Sequence, residues 1–319
     1  MDHISFPYRS SSHLAFMHVV AESGAFERHQ LDVEYDKKIS REDAHALVPT
    51  GKVEFTSGNH VSTYAARARG DNWVYLAQSV SVNQLCMVVR QDSEINSVKD
   101  LRKKKFATKG RHPALNDWLY LKQSGLDVDK DEVEIIKFGS TAQDPVAQQL
   151  NKSDAVAQGY ADACFLQEPR KSFAIREGLR IVAIEPQDMI YYATVSSSLP
   201  FTQKHPEIVK RLLKAMLEGV AYLKTHRDES VRILMEKHAK EGALDRAAAE
   251  ALYDELAPRL DAKLYPSLNA VFNVYEEAKR QSKDAEKIHP LALWDMHFLR
   301  EIDDEGFIDE LYKQGKPAA

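Results

Sequence analysis

Strand-like and helix-like stretches alternate along the first two-thirds of the chain, and the alternation halts, restarts and returns once. Residues 4–8 read as a strand. Residues 13–22 then carry Leu14, Phe16, Met17, Val20 and Ala21 at helical spacing, stopped at Ser23-Gly24. Leu31, Val33 and Tyr35 alternate as a second strand, residues 41–47 read as a helix, and Val53-Glu54-Phe55 reads as a third strand. Such a βαβαβ opening predicts a largely parallel sheet covered by helices.

Residues 73–89 form a long β-rich run, after which the pattern begins again. A capped helix is expected at 97–101, strands at 105–108, 133–136, 161–165 and 179–184, and helices at 112–123, 143–150 and 170–176. A second β-rich run, residues 190–195, precedes a tail read as helices at 206–225, 229–238, 246–256 and 266–279. One α/β series inserted between two β-rich runs predicts two lobes, residues 1–88 with 190–319 and residues 89–189, hinged at the runs. The length of 319 residues agrees, being more than one core usually serves. The segment from residue 288 on, with Leu293-Trp294-Asp295-Met296-His297-Phe298-Leu299, is expected to pack back across both lobes.

In open α/β sheets ligands bind at the carboxyl ends of the strands, where helix N-termini present free N–H groups. Three such corners end in histidine: Ser10-Ser11-Ser12-His13, Gly58-Asn59-His60 and Gly110-Arg111-His112. Histidine exchanges protons near neutral pH, so His13, His60 and His112 are the candidate catalytic groups, with Glu168 as the carboxylate of the set. Candidate substrate-binding residues are Arg9, Ser10, Ser11, Ser12, Gly58, Asn59, Gly110, Arg111, Gln167, Arg170, Tyr191 and Tyr192. Arginine offers a planar fork that matches a carboxylate, and Tyr or His stacks on or hydrogen-bonds to a ring. Each group also has a plainer role open to it. His13 and His112 would serve as polar residues in a first helical turn, Glu168 as an ion-pair partner of Arg170, and His18 as a packing residue.

Several classes are disfavoured. The formal net charge is -5 and the longest basic run is Arg102-Lys103-Lys104-Lys105, which gives nucleic acid little to hold. Cys86 and Cys164 lie far apart in apolar segments and read as buried thiols, outside any disulfide or zinc pattern. No run approaches the about 20 apolar residues that a membrane helix needs. Met1-Asp2-His3 leads directly into the first strand with no charged and apolar leader before it. The expected location is therefore cytoplasmic, or periplasmic if a leader has been removed.

Glu22-Ser23-Gly24 closing the first helix, Val53-Glu54-Phe55 entering the second corner, Val98-Lys99-Asp100-Leu101-Arg102 before a strand, Gly159-Tyr160-Ala161-Asp162-Ala163 and the corner Glu168-Pro169-Arg170 carry a family resemblance. The chain resembles type II periplasmic-binding-protein-like folds over nearly its whole length. Within them it is most similar to the nitrate, sulfonate and taurine solute-binding proteins and the related thiamine-pyrimidine synthases. The resemblance implies an α/β, two-lobe fold with a discontinuous first domain and a helical C-terminal tail. Similar scaffolds serve cytosolic enzymes, namely 4,5-dihydroxyphthalate decarboxylases and hydroxybiphenyl sulfinate desulfinase. The desulfinase's nucleophilic cysteine would fall near Ser11, its histidine near Glu54 and its arginine near Tyr64, so that chemistry does not carry over. The cysteine-rich motif of the thiamine-pyrimidine synthases is missing as well.

The expected function is that of a cytosolic enzyme holding a small aromatic or heterocyclic organic acid between its lobes and cleaving it non-oxidatively. Two chemistries are open to it. In one, an arginine grips the acid and a histidine transfers a proton to the carbon that loses carbon dioxide, lobe closure excluding water. In the other, His13, His60, His112 and Glu168 hold zinc or iron as a Lewis acid for decarboxylation or hydrolysis. The sequence requires no cofactor, and no His-x-x-x-His pair preorganises a metal site. The alternative is a non-catalytic solute-binding protein that presents a small anion or heterocycle to an ABC permease. Homodimerisation is left open.

Overall fold

The computed structural model describes residues 1–109, 112–139, 142–238 and 244–313, with only the backbone described at 109 and 112–116. The chain divides into two compact units, Met1–Val82 with Asp188–Ala319, and Asn83–Gln187. It is a mixed α/β protein with the fold class expected from the sequence.

In the first unit, β1 (Asp2–Ser5) and β2 (Leu31–Glu34) pair in parallel. β3 is short, Thr56–Ser57, and lies in a sheet of order β3-β10-β4, where β4 is Trp73–Asn83 and β10 is Gln187–Ser198. Single bonds continue the ladder from the end of β1: Phe55 N–H donates to Ser5 O at 3.1 Å, Ser57 N–H to Pro7 O at 3.1 Å and Arg9 N–H to Ser57 O at 3.2 Å. The third strand thus begins three residues and ends two residues later than the expected 53–55, directly before the corner that begins with Gly58.

The helix Leu14–Glu22 is buried from Leu14 to Val20, since it packs against the helices Pro206–Thr225, Arg227–Lys237 and Ala25–Arg28. His18 packs as a helix residue, its Nδ1 3.2 Å from Tyr35 Oη. Pro206 opens the long helix, where a missing N–H costs nothing, and its buried stripe includes Val209, Leu212, Leu213, Met216 and Val220. The helix Ser62–Ala68 was not legible as amphipathic because Ser62, Thr63, Tyr64, Ala65 and Ala66 are all buried. The segment after residue 288 packs in this unit, Trp294 pairing with Tyr75 in a single bridge with ring centroids 5.0 Å apart. No helix among the described residues is long and apolar enough to cross a membrane.

The second unit carries β5 (Cys86–Val89), β6 (Lys105–Lys109), β7 (Glu134–Phe138), β8 (Ala163–Leu166) and β9 (Arg180–Ala183), in the order β7-β6-β8-β5-β9. β6 runs parallel to β7 and β8, whereas β5 is antiparallel to β8 and β9. Cys86 and Cys164 are buried in its apolar core and are not joined in a disulfide. The helix expected at residues 143–150 is the shorter Pro145–Gln149, capped by Asp144, and a second helix that was not expected, Lys152–Ala157, follows it with Asn151 and Asp154 as a reciprocal capping box.

The two first-unit helices meet at Gly219. A Cβ there would lie 2.5 Å from Val20 Cγ2 and 3.1 Å from Val20 Cα. Gly→Ala inside a helix ordinarily stabilises by about 1 kcal/mol. Here the contact with backbone prevails, and Gly219→Ala is expected to destabilise by about 1–3 kcal/mol in urea unfolding. Combining it with Val20→Ala should return part of that loss, because the nearest atom is removed.

Candidate functional site

The first two histidine corners meet in the first unit. Gly58, with φ +110°, and Asn59, with φ +63°, turn the chain out of β3. A Cβ on Gly58 would stand 2.9 Å from Arg9 Cβ and 3.2 Å from His13 Cε1, so only glycine allows the corners to touch. Gly58 N–H donates to Thr194 O at 3.2 Å, and Ser196 Oγ donates to Gly58 O at 3.1 Å, which locks the turn to β10. Tyr75 Oη and Thr63 Oγ1 each donate to Asn59 O at 2.7 Å.

His13 and His60 lie edge to face, ring centroids 6.1 Å apart. His13 is buried, and its Nδ1 shares a 2.5 Å hydrogen bond with Ser57 Oγ. Burial, aided by the positive charge of Arg9, pushes the His13 pKa down to about 4, so at pH 7 the ring is neutral. Arg9 is half-buried; its Nε donates to Asn59 Oδ1 at 3.1 Å and its Nη1 to Ile39 O. Burial lowers its pKa, Glu42 opposing at longer range. Among the described residues no carboxylate forms an ion pair with Arg9.

The state of His60 follows from its neighbours. Gln78, in the middle of β4, is fully buried, and its Nε2 donates to Val80 O and to Tyr191 O, both at 2.6 Å. Those two carbonyls fix which end of the amide is nitrogen, leaving Oε1 as an acceptor. The Thr194 hydroxyl donates to it at 2.5 Å. Having spent its proton, Thr194 Oγ1 must accept from His60 Nδ1, 2.7 Å away. Neutral His60 therefore carries its proton on Nδ1 and its lone pair on Nε2, the atom through which it gains or loses a proton.

Arg9, His13, Gly58, Asn59 and His60 thus form one cluster. Ser10 Oγ and Ser12 Oγ lie 3.0 Å apart on its exposed side, beside Ser11 at the start of the short 3-10 turn Ser11–His13. Tyr191 enters through its backbone carbonyl, and Tyr192, 1% exposed with φ +54°, turns β10 beside it. Gln167, Glu168 and Arg170 belong to the second unit, at the corner between β8 and the helix Arg170–Arg176. There Glu168 accepts from Ser172 N–H at 3.1 Å and lies 3.5 Å from Lys171 Nζ. Gly110 and Arg111 lie outside the described residues, and of His112 only the backbone, opening the helix His112–Gln123, is described. Among the described residues no group of three His, Cys, Asp or Glu is placed to hold a metal ion.

Sequence reasoning missed Ser57, Gln78 and Thr194. The signal was there: all three are polar residues inside strands whose neighbours are buried, and a buried polar group needs a partner.

The fold built around this cluster is that of the periplasmic binding proteins. It matches the periplasmic aliphatic sulphonate-binding protein SsuA from Escherichia coli with a TM-score of 0.65 and 17% identity, over 90% of this chain and 91% of that one. The alkanesulfonate-binding SsuA from Xanthomonas axonopodis pv. citri, bound to MOPS, matches at TM-score 0.63 and 15% identity, over 90% and 95%. A mutant of the desulfurization enzyme DszB in complex with biphenyl-2-sulfinic acid matches at TM-score 0.60 and 16% identity, over 96% and 100%. The chain belongs to the NMT1/THI5-like family, whose model matches residues 11–230. No curated protein matches it in sequence.

Because His13 is held neutral, it links stability to pH. Its folded pKa of about 4 lies below the unfolded value of 6.5, so between these pH values the unfolded chain binds the extra proton. Stability should be full above pH 6.5 and fall as pH drops towards 4, by up to about 3 kcal/mol from this group. Urea unfolding at pH 7 and pH 4.5 should show a smaller difference in His13→Gln than in the parent.

Proposed function

We propose that the cluster binds a small organic acid through Arg9 and that His60 transfers a proton in its non-oxidative, decarboxylase-like cleavage in the cytoplasm. The observation that carries this reading is the Gln78–Thr194–His60 chain, which assigns one tautomer to a partly exposed histidine beside an arginine with no carboxylate partner among the described residues. An ordinary surface histidine needs no such buried support. The guanidinium attracts the acid group and offers a charge-assisted fork. Neutral His13, packed behind it, adds no competing charge.

The step balances without an oxidant. The carbon–carboxylate bond breaks, carbon dioxide leaves, and the electron pair remains on the substrate carbon. That carbon takes the proton from Nε2 of the His60 imidazolium. The ring returns to the neutral form protonated on Nδ1, which Thr194 stabilises, and solvent restores the proton at Nε2.

A second reading is favoured by the likeness to two sulfonate-binding proteins. In it the same cluster captures the anion without bond cleavage and presents it to an ABC permease.

Calorimetry and product detection with a panel of aromatic and heterocyclic carboxylates and sulfonates separate the two. Arg9→Gln should weaken anion binding by about tenfold to hundredfold under either reading. His60→Gln should retain binding and lower turnover by about 10²–10⁴-fold under the first. Turnover that survives His60→Gln overturns the proton-transfer role. Tight, Arg9-dependent binding with no product from the parent protein establishes the receptor.

A further inference from the structure

We infer that Arg259, in a segment beyond the family match, is a positioning residue that sets the tautomer of His60 through Tyr192, Tyr191 and Gln78. The inference deepens the proposed function by naming what holds its proton-transfer group. Residues 259–264 follow the helix Arg246–Leu256 and run beside β4. Asp261 N–H donates to Ser79 O at 2.8 Å, Gln78 N–H donates to Leu264 O at 2.8 Å, and Leu260 and Val80 form an antiparallel bridge. This segment therefore grips the backbone on both sides of the Gln78 side chain.

Arg259 grips the other end. Its side chain is 9% exposed, its Nε donates to Glu255 O at 2.6 Å and its Nη2 to Glu255 Oε1 at 2.6 Å. Buried Nη1 has no hydrogen-bond partner among the described residues. The cation also stands over the face of Tyr192, whose ring centroid is 5.9 Å from Cζ. Tyr192 needs such a hold, since a bulky residue at φ +54° persists only where its surroundings over-determine it. The turn at Tyr192 aims the preceding carbonyl, Tyr191 O, at Gln78 Nε2.

The consequence reaches the site. If Tyr192 relaxes to an ordinary backbone conformation, Tyr191 O swings away and Gln78 loses one of the two acceptors that orient its amide. A turned amide would present N–H to Thr194, which would then donate to His60 Nδ1 and move the ring proton to Nε2. The direction of every hydrogen bond from Gln78 to His60 would reverse.

The test reads His60 directly and needs no substrate. In the full chain labelled with ¹⁵N-histidine, the His60 signals are assigned by their loss in His60→Gln, and their nitrogen shifts at pH 8 report which ring nitrogen carries the proton. The parent should show Nδ1–H. Arg259→Gln should shift the pattern towards Nε2–H, Arg259→Lys should restore much of it by keeping the cation on the ring, and Glu255→Gln should leave it nearly unchanged. Turnover, where measured, should fall on the order of tenfold in Arg259→Gln, the size that partners behind a histidine show. Folded Arg259→Gln with His60 unshifted overturns the proposal. Should that variant not fold, Tyr192→Leu replaces it, since it removes the ring face and keeps the Arg259–Glu255 pair, and an unshifted His60 there overturns the proposal equally. A tautomer that follows Arg259 in a protein with no turnover would leave this inference standing while the enzymatic reading fell.

Discussion

A carboxamide buried in the middle of a β-strand must have its two donors and its acceptor met, because an unmet group there costs the full desolvation penalty, about 1–3 kcal/mol. Gln78 meets this demand by reaching two backbone carbonyls and one hydroxyl, drawn from β4 itself and from β10. The two longest strands of the first unit are therefore joined by side-chain chemistry as well as by their ladder. Thr194 has no freedom left once Gln78 is oriented, and neither has the proton of His60. The chemistry of the corner is decided inside the sheet, away from the surface where a ligand would arrive.

A second constraint is steric. Arg9 and His13 come from the end of β1 and the turn after it, and His60 from the end of β3, so the three meet only if two loops pass in contact. Gly58 provides the contact because no side chain intervenes. Burial keeps the His13 imidazole neutral, and the half-buried guanidinium of Arg9 adds to that effect. One positive charge is left without a carboxylate partner among the described residues, which is the elementary requirement for holding an acid.

The helical pattern of residues 13–22, the amphipathic stripe of residues 206–225 and the alternation around β6 were legible because apolar spacing is a local property. The corners at His13 and His60 were legible for the same reason, since strand ends followed by helix starts mark where an α/β sheet opens. Ser57, Gln78 and Thr194 were not singled out, although each is a polar letter in a buried strand, because their partners are far away in sequence. Gln78 and Thr194 lie 116 positions apart, and Arg259 lies further still along the chain. The helix Ser62–Ala68 was legible only as the stretch that the His60 corner leads into, because burial of Ser62 to Ala66 erases the periodicity that marks a half-exposed helix.

The sequence by itself determined the class of fold, the strand-and-helix order and the corners at which arginine and histidine stand. These follow from periodicity, turn residues and capping, all read within a few positions. The tertiary structure decided which nitrogen of His60 bears the proton, that His13 is neutral, and that a segment beyond residue 230 bonds along β4 at Gln78. Those properties depend on burial and on hydrogen-bond partners brought together from distant parts of the chain, and neither exists before the sheet has closed around them.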